Sequence, residues 1–383
     1  MLVACSASTL VSAATAVPSG ADDVVVEVLP SITRQRAVAS GAKPVTADPQ
    51  RAAASAQDAI AMARQTGETR YWGRAQAVLG PWWDVPQAPV ELAVLQATVQ
   101  QGRHEFNAAR QILEAVVARE PGHAQGWLTL ASLNRLSARY ADSLKACEAV
   151  AQSGQALYGA ACRLETQSLQ GQHELATNGF EQLIRQASNT DQASWLWSLL
   201  AEGLERAGRD EAAARAFQRS LALTPDLYTA IAYSDLLLRS ERPAQALTVL
   251  QDAAETDAVL LRRATAWKRL GQVQWKEARE TLRTRTAELV RRGDDPLLHG
   301  RELALIALWL DDDPVEALRL ARVNLQLQKE PLDWWVAVKS ARQAKDSTAR
   351  QELTSMIQSL GLQDQRLSRM LQPKATSATG RAL

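Results

Sequence analysis

Cysteine and histidine are the side chains best suited to chemistry, and this chain carries only three of one and four of the other in 383 residues. Cys147 and Cys162 stand fifteen residues apart. In an oxidising compartment such a pair could close a short loop through a disulfide, worth about 2–4 kcal/mol. As reduced thiols the two would simply be small packing residues. Cys5 follows Leu2-Val3-Ala4, a run that resembles a lipobox whose cysteine would carry lipid. His104, His123, His173 and His299 are scattered, and none has a neighbour at zinc-ligand spacing. His299 and Glu302 share a helical face with Arg301 between them, yet one such pair makes no site. Nucleophile elbow, phosphate loop, dinucleotide fingerprint and C-x-x-C are all missing from the sequence. The expectation is a chain that is not an enzyme and needs neither metal nor cofactor.

Eleven tryptophans leave binding as the alternative to catalysis. In Trp82-Trp83 and Trp334-Trp335 both rings cannot point inward from one helix, so one of each pair is expected at the surface. Net charge is +1, too balanced for a dedicated nucleic-acid binder. A local excess runs from Arg262 to Arg292, where ten Lys or Arg face three Glu. It reads as a solvated helical face offset by Asp294, Asp295, Asp311, Asp312 and Asp313. The competing reading is a basic strip, 262–292, that docks an acidic partner or anionic lipid. No span of 18 apolar residues exists, so no transmembrane helix is expected.

The elements that would position these groups repeat. In residues 194–225, Trp197, Leu200, Ala201, Leu204, Gly208, Ala213, Phe217, Ser220 and Pro225 fall at the fourth, seventh, eighth, eleventh, fifteenth, twentieth, twenty-fourth, twenty-seventh and thirty-second positions of a tetratricopeptide repeat. Trp197, Leu200 and Leu204 make one stripe of the first helix. Ala201 and Ala213 are small where two helices cross, and Phe217 fills the wedge between them. Gly208 supplies the positive φ of the tight turn, and Pro225 closes the second helix. Such a unit cannot bury its own apolar face, so it predicts stacked neighbours.

Neighbours follow. Residues 124–150 repeat the scheme with Trp127, Leu130, Ala131, Tyr140, Ser143, Cys147 and Val150. A weaker unit carries Gly171, Ala176, Phe180 and Leu183, and Ala109, Leu113, Val116 and Pro121 mark an earlier one. Beyond Pro225 helical pairs persist over 228–253, 258–291, 302–328 and 333–360, with Pro243 in the first turn of its helix. Upstream, Asp48-Pro49 opens a helix to about Arg64, and a second covers 72–79 before Gly80-Pro81. Ala, Leu, Gln, Arg and Glu dominate and no strand-length alternation stands out. The expected fold is all-α, a tetratricopeptide-repeat right-handed α-solenoid of about six to seven helical hairpins over 46–371.

The termini differ. Residues 1–16 read as a signal segment, ending in Ala14-Thr15-Ala16 before a signal-peptidase-like site, although no Lys or Arg precedes Arg34. Lipidation at Cys5, and retention as a cytosolic leader, are the other readings. Residues 17–45 read as a flexible linker and 372–383 as a disordered tail.

The inner surface of such a solenoid is lined by the second, fifth and ninth positions of each first helix. Here these are Gln125, Leu128 and Ser132 in one repeat and Trp195, Ser198 and Glu202 in another. They lack the Lys and Asn of a carboxylate clamp, and the mixed groove suits an extended or helical peptide, with Trp195 as anchor.

The segments RYWGRAQAVLGPWW at 70–83, GWLTLA at 126–131, HGRELAL at 299–305 and ARVNLQLQKEPLD at 321–333 together resemble a family of predicted exported bacterial tetratricopeptide proteins without an assigned activity. The resemblance spans roughly 45–371. It implies a noncatalytic scaffold that is periplasmic or outer-membrane-associated, binds a protein or peptide in its groove, and contacts membrane, if at all, through a lipid anchor or the basic strip. A cytoplasmic adaptor of co-chaperone type is the alternative. No nucleic-acid partner is expected.

Overall fold

Helix signals in the sequence become nineteen α-helices in the computed structural model, which describes residues 48–291 and 299–372. The chain divides into two units, Met1–Asp48 and Pro49–Leu383. The signal segment, Cys5, the 17–45 linker and, apart from Gln372, the 372–383 tail lie outside the described residues. Within the second unit, α1 (Pro49–Thr66), α2 (Arg70–Leu79), α3 (Val90–Gly102), α4 (Phe106–Arg119), α5 (Ala124–Leu136) and α6 (Tyr140–Gln152) form the first three hairpins. Then come α7 (Ala156–Leu169), α8 (His173–Gln186), α9 (Thr190–Arg206), α10 (Asp210–Leu223), α11 (Leu227–Arg239) and α12 (Pro243–Val249). The rest are α13 (Asp257–Arg269), α14 (Trp275–Arg291), α15 (Gly300–Trp309), α16 (Pro314–Leu327), α17 (Pro331–Gln343), α18 (Ser347–Leu360) and α19 (Gln365–Leu371). Among the described residues no strand occurs, only an isolated bridge between Gln170 and Gln363.

Among the described residues the solenoid thus has nine hairpins and a terminal helix rather than six to seven hairpins. The shortfall arises where tryptophan and glycine markers are absent, and the backbone supplies the common signature instead. One residue with left-handed φ sits in the inner turn of every hairpin: Gly67, His104, Ala138, Gly171, Gly208, Glu241, Gly271, Asp312 and Lys345. Five of the nine are not glycine, so the turn is imposed by packing of the flanking helices against the local preference.

Local chemistry starts the helices. Asn189, Asp226 and Asp346 accept the N–H groups of Gln192, Thr229 and Ala349 at 2.9, 2.7 and 2.9 Å. Pro243, Pro314 and Pro331 stand in first turns, where the missing N–H has no intrahelical partner to lose. Ala201, Ala213 and Phe217 are fully buried where the repeat spacing places them, while Trp197 packs only half-buried against the same core.

Successive turns of the solenoid also touch each other. The inner turn of the first hairpin, at Gly67, meets Thr256 at the head of the seventh. His104 of the second hairpin faces His299, Arg301 and Glu302 of the eighth. The Lys329 N–H, at the head of the ninth, donates to the Leu136 carbonyl of the third at 2.8 Å. The Gln363 N–H donates to the Leu169 carbonyl of the fourth at 2.8 Å, just before α19. Each of the first three hairpins therefore docks on the sixth one after it, and the fourth meets the head of α19. This seam is closed by backbone hydrogen bonds as well as side chains.

Packing corrects the expectation for Trp334 and Trp335. Both are buried, at 0% and 8% exposure. Trp334 donates its ring N–H to the Lys329 carbonyl, and Trp335 meets Trp309 edge-on at 6.2 Å with the Arg239 guanidinium 5.6 Å over its ring. The outward side of α17 is thus covered by Trp309 of α15 and Arg239 of α11. Trp82 and Trp83 are both half-buried against the first-hairpin core.

Candidate functional site

First helices of consecutive hairpins present an aromatic row. Tyr158 on α7 and Trp195 on α9 pack with ring centroids 5.4 Å apart, tilted by 37°. Tyr228 on α11 continues the row and is 62% exposed, while its hydroxyl donates to Glu202 at 2.8 Å. Glu202 also lies 3.5 Å from the buried Arg206 guanidinium. Burial pushes the Glu202 carboxyl up, opposed by Arg206, and the neighbouring Glu202 charge pushes the Tyr228 phenol well up. The phenol keeps its proton and donates a hydrogen bond to the carboxylate.

The other residues expected in the groove divide. Gln125 is exposed and donates to Thr129 Oγ1 at 3.1 Å, and Leu128 and Ser132 are half-buried. Ser198 is buried, its hydroxyl 3.2 Å from that of Thr229 on α11, so it fastens two first helices instead of facing the groove. Tyr158 and Tyr228 complete the row and are not among the residues that repeat register selects. Tyr228 occupies the second position after Asp226, where the repeat register is weak, and only alignment on the N-cap aspartate would have found it.

Cys147 on α6 and Cys162 on α7 are joined by a disulfide, with Cα atoms 5.4 Å apart. They are buried with Ala131 and Ala146 beneath Trp127 and Leu128. A hydrogen bond of 3.0 Å between Ser143 and Thr166 ties the same two helices alongside.

Most of the basic strip among the described residues is taken up in ion pairs. Arg279 and Arg283 both reach Asp311, the latter at 2.9 Å. Lys268 reaches Asp312 at 2.6 Å, Arg285 reaches Asp257 at 2.6 Å, and Arg262 is buried on Asp235 at 2.9 Å. Arg263 is bonded to the Leu250 and Gln251 carbonyls. Asp311 and Asp312, close in sequence, thus offset much of the strip, and Asp235 of the preceding hairpin adds a buried partner.

The His299, Arg301, Glu302 group is likewise structural. Arg301 makes a two-pronged contact with Asp333 at 2.7 and 2.8 Å and pairs with Glu330 at 2.5 Å. His104, which the sequence leaves isolated, joins them across the seam, and burial lowers its pKa. His123 caps α5 by accepting the Gly126 N–H at 3.0 Å. Among the described residues no group of three or more His, Cys, Asp or Glu is disposed to hold a metal, and no helix is long and apolar enough to cross a membrane.

Paired helices, one left-handed inner turn per hairpin and a buried small-residue crossing define a tetratricopeptide-type helical solenoid. Solved structures are similar to it. The Rap protein complexed with competence and sporulation factor is similar over 88% of this chain and 92% of its own, with TM-score 0.54 and 7% identity. A thermophilic tetratricopeptide protein of Thermus thermophilus is similar over 50% of this chain and 100% of its own, with TM-score 0.42 and 18% identity. One from Parabacteroides merdae covers 66% and 98%, with TM-score 0.40 and 13% identity. No family model matches the chain, and no curated protein matches it.

Proposed function

We propose that this chain is a noncatalytic scaffold whose first-helix face holds an extended or helical segment of another protein. One observation carries the reading: Tyr158 and Trp195 pack ring against ring, and Tyr228 bonds Glu202, which stands two turns after Trp195 on the same helix. An exposed tyrosine beside half-buried aromatics on mutually packed helices offers contact area at little entropic cost, the usual chemistry of a binding hot spot. The hydroxyl of Tyr228 and the carboxylate of Glu202 supply polar recognition at one end. Rap, the structure of similar fold, was solved in complex with competence and sporulation factor.

Residence in the bacterial envelope, periplasmic or on the outer membrane, is part of the same proposal. The signal-like segment 1–16 supports it, as does a disulfide between Cys147 and Cys162, which persists in oxidising compartments. The proposal is tested by crosslinking in intact cells after fractionation, comparing wild type with a Trp195→Ala/Tyr228→Ala double variant. A partner captured from the envelope fraction by wild type and lost in the variant supports it. Equal capture by both proteins removes the aromatic row from the account, and a cytosolic wild type removes the envelope.

A further inference from the structure

Arginine side chains that leave water in this molecule find an acceptor almost everywhere. Arg135 reaches Glu165, Arg206 reaches Glu202, Arg242 reaches Glu211, Arg262 reaches Asp235 and Arg301 reaches Asp333. One cleft breaks the pattern. It measures about 370 Å³, lies between α17, α18 and α19, and is lined by Lys339, Arg342, Gln343, Arg350, Met370 and Gln372.

Lys339, Arg342 and Arg350 are each half-buried, and among the described residues none makes an ion pair or a side-chain hydrogen bond. The Nε of Arg350 is buried without a partner. Lys339 and Arg342 are three residues apart on α17, so two like charges share one helix face, and α18 adds a third. No carboxylate lines the cleft. Holding three cations together, partly desolvated and uncompensated, is unfavourable on its own. The side-chain amides of Gln343 and Gln372 add hydrogen-bond capacity beside this one-sided arrangement.

From this geometry we infer that the α17–α19 cleft is an anion site for a phosphate-type oxyanion. Three positive donors match a group bearing close to two negative charges and three acceptor oxygens better than the single charge of a carboxylate. Two guanidinium forks offer the paired N–H geometry that phosphate oxygens accept, with Lys339 as a point charge beside them. The site lies on the closing hairpin and α19, away from the aromatic row, and does not depend on what that row binds. The oxyanion is borne either by a free small molecule or by a lipid headgroup.

The test uses the full chain and an Arg342→Gln/Arg350→Gln double variant, with pyrophosphate titrated by calorimetry in chloride buffer. Vesicles of phosphatidylglycerol, and of phosphatidylcholine as control, are sedimented in parallel. Wild type is expected to saturate with pyrophosphate, and the variant to bind at least about tenfold more weakly, the loss of a charge-assisted contact. The variant should melt no lower than wild type, because repulsion has been removed and no ion pair lost. Binding to phosphatidylglycerol vesicles that the variant loses assigns the oxyanion to a headgroup. Pyrophosphate binding without vesicle binding assigns it to a free molecule. Neither ligand saturating, or equal affinity in wild type and variant, overturns the site. A destabilised variant also overturns it, since the two arginines would then be structural.

Discussion

Arg366 of α19 reaches back to Glu205 of α9, an ion pair of 2.8 Å between the last described helix and the fifth hairpin. Glu205 receives Arg239 of α11 as well, so one buried carboxylate gathers three helices. Beside it the Arg366 Nε stands 3.0 and 3.1 Å from the two oxygens of Asp364, which also caps α19. Tetratricopeptide stacking alone joins each hairpin to its neighbours. This node joins hairpins far apart in the chain.

The pH response of that node has a definite sign. Burial pushes the Asp364 carboxyl up, but the Arg366 guanidinium and hydrogen bonds outweigh it and hold the carboxyl below its ordinary value. A depressed folded value means stability present above the unfolded pKa of about 3.9 and lost as pH falls through the folded one. Asp364→Asn keeps the cap oxygen and removes the charge. It should cost about 3–5 kcal/mol at pH 7, the loss from stranding a buried charge. Urea unfolding at pH 7 and pH 3 should show the gap narrowing in acid, and an equal loss at both would contradict the ion-pair account.

The left-handed turns make a second prediction. Lys345 is exposed and forms no ion pair among the described residues, yet holds φ of 57°. Lys345→Gly should therefore stabilise the protein by about 1 kcal/mol, and Gly208→Ala, at φ of 71°, should destabilise it by a similar amount or more. Thermal melts shifted in opposite directions would confirm both, and a destabilising Lys345→Gly would show that the turn is unstrained.

Tryptophan burial ranks two substitutions. Trp334 is fully buried, so Trp334→Ala should cost about 3–5 kcal/mol through the cavity it leaves. Trp197, half-buried at the repeat's signature position, should cost less. The comparison is read from paired denaturation curves, and the reverse order would contradict the ranking by burial.

Reduction probes the Cys147–Cys162 bond, which closes a loop with separation 15. Opening it, or Cys147→Ala with Cys162→Ala, should cost about 2–4 kcal/mol. Titration of the denatured, unreduced protein should find neither thiol, and a melt insensitive to reductant would contradict a stabilising bridge.

The sequence made the repeat core legible because its signals are local. Trp197, Ala201, Gly208 and Phe217 report on helices that meet within one hairpin, and the N-cap aspartates on single turns. The seam was not legible. Leu136 and Lys329, or His104 and Glu302, are distant in the chain, and neither member of a pair carries a pattern that names the other. The same distance explains the misreading of Trp335, whose cover includes Arg239. Ser198 looked like a groove residue because register alone cannot tell a hydroxyl that faces solvent from one bonded to Thr229. The oxyanion cleft escaped notice because Arg342 and Arg350 resemble any surface arginine until their lack of partners is seen.

The docking of early hairpins on the sixth after each sets a schedule for biogenesis. A chain emerging from the ribosome exposes the Leu136 and Leu169 carbonyls long before Lys329 and Gln363 have been synthesised to meet them. Early hairpins wait with one rim wet, in need of shelter or of speed, and maturation ends only when the C-terminal hairpins swing beneath them.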